Sequence, residues 1–225
     1  MPTKPLLLPL LALSLFLGSC KTTTDKLVLE ISQGESSVRR DTIAELGEFI
    51  SGREQAGFPF TRGELQAIEL LRDITKSDTE EVVNRMKAIT ALNRLNKVDN
   101  TSLFIEGLSS RYWGIRWECA KGLAAHPSPG AVGPLVDRLK TEKERVVLLD
   151  IVKALALAGG EDALDALFQV YFDESSRHFD NRMKAHAAIC RLTGREFGLE
   201  NANEWLKYYR ERFPAKAAGP AGGKE

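Results

Sequence analysis

The sequence predicts an all-α fold, an α-solenoid of about five stacked helical pairs. In residues 81–97, apolar side chains recur every three or four positions and line one face of a helix. Similar segments recur along the chain at intervals of 31 to 46 residues. Each is followed, after turn residues such as Pro and Gly, by a second apolar stripe. Because one helical hairpin cannot bury its own apolar face, neighbouring hairpins must stack.

Five segments can be aligned on a shared position, an Arg in four of them. In each segment an aliphatic residue, which we call the anchor, follows seven residues later. Residues seven apart lie on the same face of a helix, so we expect the five anchors to line one shared buried seam. The first position is Arg39, Arg85, Arg116, Leu148 and Arg182, and the anchors are Leu46, Leu92, Leu123, Leu155 and Ile189.

Three of these segments resemble the HEAT family, whose inner helix often has the pattern V-R-x-x-A-x-x-A-L. The matching residues are Arg85, Ala88, Ala91 and Leu92; Arg116, Ala120 and Leu123; and Arg182, Ala185, Ala188 and Ile189. The resemblance covers residues 37–213, and armadillo-like repeats share part of the pattern. It implies stacked hairpins whose inner helices form a concave face that binds a protein or a peptide.

The first 19 residues are predicted to be a secretion signal and not part of the fold. A twelve-residue apolar run, interrupted by Pro9, is too short to span a bilayer comfortably. It ends in Leu-Gly-Ser-Cys, which resembles a bacterial lipobox with Cys20 as the lipidated residue. The alternatives are an ordinary cleaved signal and a chance Cys beside an apolar run. Lys21 is compatible with outer-membrane sorting, and we expect a periplasmic or external soluble domain.

The remainder divides into three parts by composition. Residues 20–36 are expected to be a tether, although the sequence does not decide whether Leu27 and Ile31 begin a helix. Residues 37–213 form the repeat domain, and the Ala/Gly/Pro-rich residues 214–225 a disordered tail. With Lys4 removed, the mature chain carries 30 basic and 31 acidic residues. This near-neutral balance does not suggest a nucleic-acid partner.

Two segments are candidates for binding. Residues 51–62 contain Phe58 and Phe60, and we expect a loop that tucks both onto the end of the solenoid; a partner-binding loop is the alternative. Residues 109–118 bring three large aromatics beside Arg, the composition of binding hot spots. The alternative for that segment is that Trp117 fills a gap between helices and Arg116 pairs with an acidic residue of the next repeat.

No residue pattern indicates catalysis, a metal or a cofactor. Cys119 and Cys190 are predicted to be buried thiols, since repeats two steps apart lie beyond disulfide reach. None of the three His lies in a zinc-binding motif, and neither a P-loop nor a G-x-S-x-G motif is present.

The sequence therefore predicts a membrane-anchored, non-catalytic scaffold of the bacterial cell envelope that binds an unidentified protein or peptide. The alternatives are a HEAT-like enzyme, of the lyase or DNA glycosylase type, and a purely structural subunit. The lipidation site is Cys20, and the candidate partner contacts are Arg85, Tyr112, Trp113, Arg116, Trp117 and Arg182.

Overall fold

The computed structural model describes residues 22–173 and 179–217, and within those ranges every regular element is a helix. The α-helices are α1 (Thr23–Gln33), α2 (Ser36–Gln55), α3 (Arg62–Lys76), α4 (Val82–Asn93), α5 (Thr101–Gly107), α6 (Trp113–Ala125), α7 (Val132–Thr141), α8 (Arg145–Ala158), α9 (Glu161–Phe172), α10 (Phe179–Thr193), α11 (Ala202–Arg212) and α12 (Pro214–Ala217), with a 3-10 turn (Pro129–Ala131) before α7.

The helices alternate between two layers. Layer A is α2, α4, α6, α8 and α10, and each of these packs against the next one in that order. Layer B is α1, α3, α5, α7, α9 and α11; α3, α5 and α7 each pack on the layer A helix that follows them in the chain. This arrangement confirms the predicted all-α solenoid of helical pairs.

The five aliphatic anchors lie in layer A and form the predicted buried seam. Leu46, Leu92, Leu123, Leu155 and Ile189 are each no more than 1% exposed and belong to one continuous core. Layer A helices approach closely: a Cβ at Gly47 would stand 2.4 Å from the Cβ of Ala91, where the backbones of α2 and α4 meet. Between α8 and α9, Gly159 and Gly160 both have positive φ, which explains the Gly pair at that turn.

Helix α1 occupies most of the segment, residues 20–36, that was expected to be a tether. Thr22 and Asp25 form a capping box at its start. Leu27 and Ile31 are buried against the core, so α1 is the first helix of layer B. The signal peptide and Cys20 lie outside the described residues.

The opposite end of the solenoid is closed by aromatic side chains. Trp205 of α11 is fully buried, and its ring meets that of Phe168 in α9 at 5.8 Å in an edge-to-face arrangement. Residues 214–217 form the short helix α12 where the sequence predicted a disordered tail; residues 218–225 lie outside the described range. Within the described ranges, no helix is both long and apolar enough to span a membrane.

The segment predicted as a loop, 51–62, is partly helical because α2 continues to Gln55. Its two Phe side chains differ: Phe60 packs against the core, whereas Phe58 is 52% exposed beneath the guanidinium of Arg53. Of the two Phe side chains that were expected to pack against the solenoid, only Phe60 does so.

Candidate protein-binding surface

One apolar side chain is exposed at the start of every layer A helix. Each lies within the first three residues of its helix, where one side of the turn faces solvent. Because the layer A helices stack in order, these side chains follow one another along the same edge of the solenoid. We call this set the apolar row: Val38, Val83, Trp113, Val146 and Phe179.

Trp113, the third of the five residues in the apolar row, has the largest side chain of the set and is 48% exposed. Its ring lies 6.3 Å from that of Trp117, one helical turn further along α6. Trp117 is half-buried and fixed on both sides. Its indole Nε1 donates to Asp150 of α8 at 2.7 Å, and Lys121 lies 4.6 Å from its ring centroid.

Arg116, predicted as a partner contact, is buried and fully engaged inside the protein. Its guanidinium donates two hydrogen bonds to Glu142 at the end of α7, at 2.7 and 2.8 Å. It also donates to the carbonyl oxygens of Ser110 and Arg111, at 3.0 and 3.1 Å. The geometry therefore favours the alternative in which Arg116 pairs with an acidic residue of the next repeat.

Glu142 follows the last residue of α7, and its carboxylate accepts the hydrogen bonds that connect α6, α7 and α8. Burial opposes its ionisation, but hydrogen bonds from Arg116, from the amides of Glu144 and Lys143, and from Arg138 outweigh burial and lower its pKa to about 2. The side chain is fully buried and ionised, and it joins α6, α7 and the start of α8.

The other Arg residues of the repeat also tie helices together. Arg39 of α2 forms an ion pair of 2.6 Å with Glu80, just before α4. Arg85 donates from Nε to the carbonyl of Thr75, at the end of α3, at 3.0 Å. Arg182 of α10 lies over the ring of Tyr171 in α9, at 5.3 Å. Arg182 is also two repeats away from Arg116 and does not join the aromatic cluster of α6.

A groove of about 700 Å³ opens between the α3–α4 turn and the α5–α6 turn. Arg85 and Tyr112 line it together with Asp78, Glu106 and Arg111. The structure thus brings two predicted contacts, Arg85 and Tyr112, to one place. Arg111 covers the ring of Tyr112 at 4.6 Å and donates to its hydroxyl at 2.6 Å.

The apolar row contains residues that the sequence analysis missed. Val83 and Val146 lie two positions before Arg85 and Leu148, and Phe179 lies three before Arg182. The aligned repeats already carried this signal, since an apolar residue precedes the aligned position by one to three places in each of them. One exposed apolar residue at the start of a helix is common in proteins. Here such a residue occurs in every layer A helix, which distinguishes this surface.

Among the described residues, the two Cys are free thiols and the two His are hydrogen-bonded to the backbone. Cys119 and Cys190 are free thiols; Cys119 is buried as predicted, whereas Cys190 is only half-buried. His126 and His186 each place Nε2 against a backbone carbonyl, of Asn93 at 2.7 Å and of Phe197 at 2.9 Å. Across residues 22–173 and 179–217, no three His, Cys, Asp or Glu side chains converge as a metal site would require. His178 lies outside those ranges.

Comparison with known proteins agrees with this architecture. Residues 101–190, from α5 into α10, match the family model described as HEAT repeats. A crystal structure of an engineered protein is 17% identical to this chain, covers 88% of it and 94% of its own length, and gives a TM-score of 0.53, a likeness that shows the fold alone. No curated protein matches the sequence. The HEAT match and the stacked hairpins together support a HEAT-repeat protein with an all-α solenoid fold.

Proposed function

We propose that this protein is a non-catalytic scaffold that binds another protein along the apolar row and is held at a bacterial envelope membrane by lipid on Cys20. The outer membrane is favoured by Lys21, with the solenoid in the periplasm or outside. The observation that carries the proposal is the recurrence of one exposed apolar side chain at the start of all five layer A helices.

The spacing of the apolar row suits an extended protein partner. Neighbouring packed helices lie about 8–10 Å apart, so the row offers separate apolar contacts at that interval over several repeats. A partner segment that runs across the helix starts would bury each in turn. Trp113 is the natural anchor, because Trp is enriched among the few residues that dominate binding energy.

The charges on layer A favour a protein partner over a nucleic acid. Several of them are paired within the protein, as in Glu48 with Arg94 at 2.9 Å and Glu118 with Lys121 at 3.0 Å. Both signs therefore occur on this surface, whereas polyanion binding calls for a patch of clustered Lys and Arg.

A non-catalytic role agrees with the state of the reactive side chains. Burial raises the pKa of the Cys119 thiol well above its usual range, so that thiol stays protonated and unreactive. His126 and His186 are engaged with backbone carbonyls. The Cys119 thiol is therefore not in the thiolate state that a nucleophile requires.

Crosslinking in native membranes tests the proposal. A photo-crosslinking amino acid at position 113 is expected to capture a protein partner, whereas the same amino acid at position 157 is not. Leu157 is a matched control because it is also an exposed apolar residue, at 39%, and lies near the end of α8, away from the helix starts that carry the apolar row.

Affinity then tests the contact itself. Trp113→Ala is expected to weaken partner binding by at least about 2 kcal/mol, roughly thirtyfold in Kd, and Leu157→Ala to leave it unchanged. Equal loss in both variants, or capture of the same proteins from both positions, would contradict the assignment of the apolar row.

A further inference from the structure

The helix α1 begins almost directly after the proposed lipidation site. Only Lys21 separates Cys20 from Thr22, whose side chain accepts a hydrogen bond from the amide of Asp25 at 3.2 Å and so caps the helix. Two residues span at most about 7 Å. A lipid on Cys20 would therefore hold the first turn of α1 within about that distance of the bilayer surface.

α1 is part of the folded core and not a detachable arm. Thr24, Leu27 and Ile31 are buried, and α1 packs against both α2 and α3. Detaching α1 would expose the buried side chains of Leu27 and Ile31 to water, which is unfavourable. The first helices of the solenoid must therefore lie against the membrane that holds Cys20.

The start of α3 lies beside the start of α1. A Cβ at Gly63 would stand 3.6 Å from Oδ1 of Asp25, which places the turn between α2 and α3 next to the proposed anchor. Two large apolar side chains are exposed here, Phe58 at 52% in this turn and Leu65 at 51% in the first turn of α3. Arg62 and Lys26 are exposed in the same neighbourhood.

We propose that these four residues, which we call the membrane edge (Lys26, Phe58, Arg62 and Leu65), rest on the bilayer to which Cys20 is anchored. Phe58 and Leu65 enter the boundary between headgroups and acyl chains, and Lys26 and Arg62 face anionic headgroups. The inference rests on the proposed anchor at Cys20, and it adds an orientation that the anchor alone does not give.

The orientation places the apolar row on the side away from the membrane. Val38 is near the start of α2, whereas Arg53, which covers Phe58, is near its end. At 1.5 Å per residue, the 15 positions from 38 to 53 separate the two ends by about 22 Å. Because layer A helices stack in order, the whole row stands off the bilayer, where a partner can reach it.

Fluorescence quenching by lipids with brominated acyl chains tests the membrane edge. The full-length protein, recovered from membranes, is reconstituted into vesicles of phosphatidylethanolamine and phosphatidylglycerol that carry bromine. Phe58→Trp adds an indole at the membrane edge, and the matched control Val83→Trp adds one in the apolar row. After subtraction of the parent protein's emission, the indole at position 58 is expected to lose at least half of its intensity and that at 83 almost none.

The possible outcomes separate this inference from the proposed anchor. Equal quenching at both positions, or none at position 58, would overturn the membrane edge even if Cys20 is lipidated. The mass of the N-terminal peptide reports lipidation separately. If Cys20 carries no lipid, the proposed anchor is wrong, and the same quenching assay on protein mixed with the brominated vesicles still decides whether Phe58 enters the bilayer.

Discussion

The neighbouring helices α6 and α8 place different residue types, one charged and one apolar, at the same buried position of the repeat. Arg116 in α6 and Leu148 in α8 occupy aligned positions, seven residues before the anchors Leu123 and Leu155. Both are buried, at 8% and 4% exposure. Arg116 is accommodated because the carboxylate of Glu142 and two backbone carbonyls converge on it. The difference teaches that this position can be buried with either residue type, and that a buried Arg joins repeats where an acidic partner is available.

The largest expected effect comes from giving α6 the residue that α8 has. Arg116→Leu leaves the fully buried carboxylate of Glu142 without its bidentate partner. We expect a loss of about 3–5 kcal/mol in the free energy of unfolding, measured by urea denaturation. In the control, Arg116→Leu with Glu142→Leu removes both charges and is expected to recover most of the loss. If the double variant is no more stable than the single one, unpaired charge is not the cause.

Leu148 of α8 is expected to contribute to stability through apolar packing alone. Leu148→Ala removes buried methyl groups and leaves a cavity beneath α8, with an expected loss of about 3 kcal/mol. Since no charge is changed, the loss should be the same at neutral and at mildly acidic pH. A strong dependence of this loss on pH would show that Leu148 acts on an ionised group nearby.

A dependence on pH is expected instead from the α6 junction. The folded pKa of Glu142 is about 2, below the 4.5 of an unperturbed Glu side chain, so the folded state releases this proton more readily than the unfolded chain. The stabilisation is present above the unfolded pKa and is lost as pH falls towards the folded pKa, about 2–3 kcal/mol in all between roughly pH 5 and pH 2. Glu142→Gln should flatten this part of the stability curve; an unchanged slope would assign it to other carboxylates.

The same comparison shows how far the sequence could predict this protein. Helical periodicity and the recurring anchors sufficed for the solenoid, because burial of a seam follows from spacing within a helix. The partner of Arg116 could not be deduced, since Glu142 lies 26 positions later and meets it only when the hairpins stack. Helix α1 remained undecided because its buried stripe rests on few residues, chiefly Leu27 and Ile31, and its environment is supplied by α2 and α3.

The apolar row was missed for a related reason. Whether a residue in the first turn of a helix is exposed depends on the preceding turn and on the next helix, not on the periodicity of its own helix. Trp113 and Trp117 illustrate this: both lie in α6, yet only Trp117 is held by α8 through Asp150. The sequence placed both in one candidate site but could not separate the exposed ring from the fixed one.

The smallest expected change in stability distinguishes those two rings. Trp113→Ala, like Val146→Ala at the start of α8, removes a side chain that is nearly half exposed, so we expect the free energy of unfolding to change by less than about 0.5 kcal/mol. Trp117→Ala removes the hydrogen bond to Asp150 as well as half-buried ring area, and should cost at least about 1 kcal/mol. Thermal unfolding of the three variants measures the difference. If Trp113 serves binding, Trp113→Ala leaves the free energy of unfolding almost unchanged but weakens partner binding in the affinity measurement. If its ring served packing instead, the same substitution would lower the free energy of unfolding as Trp117→Ala does.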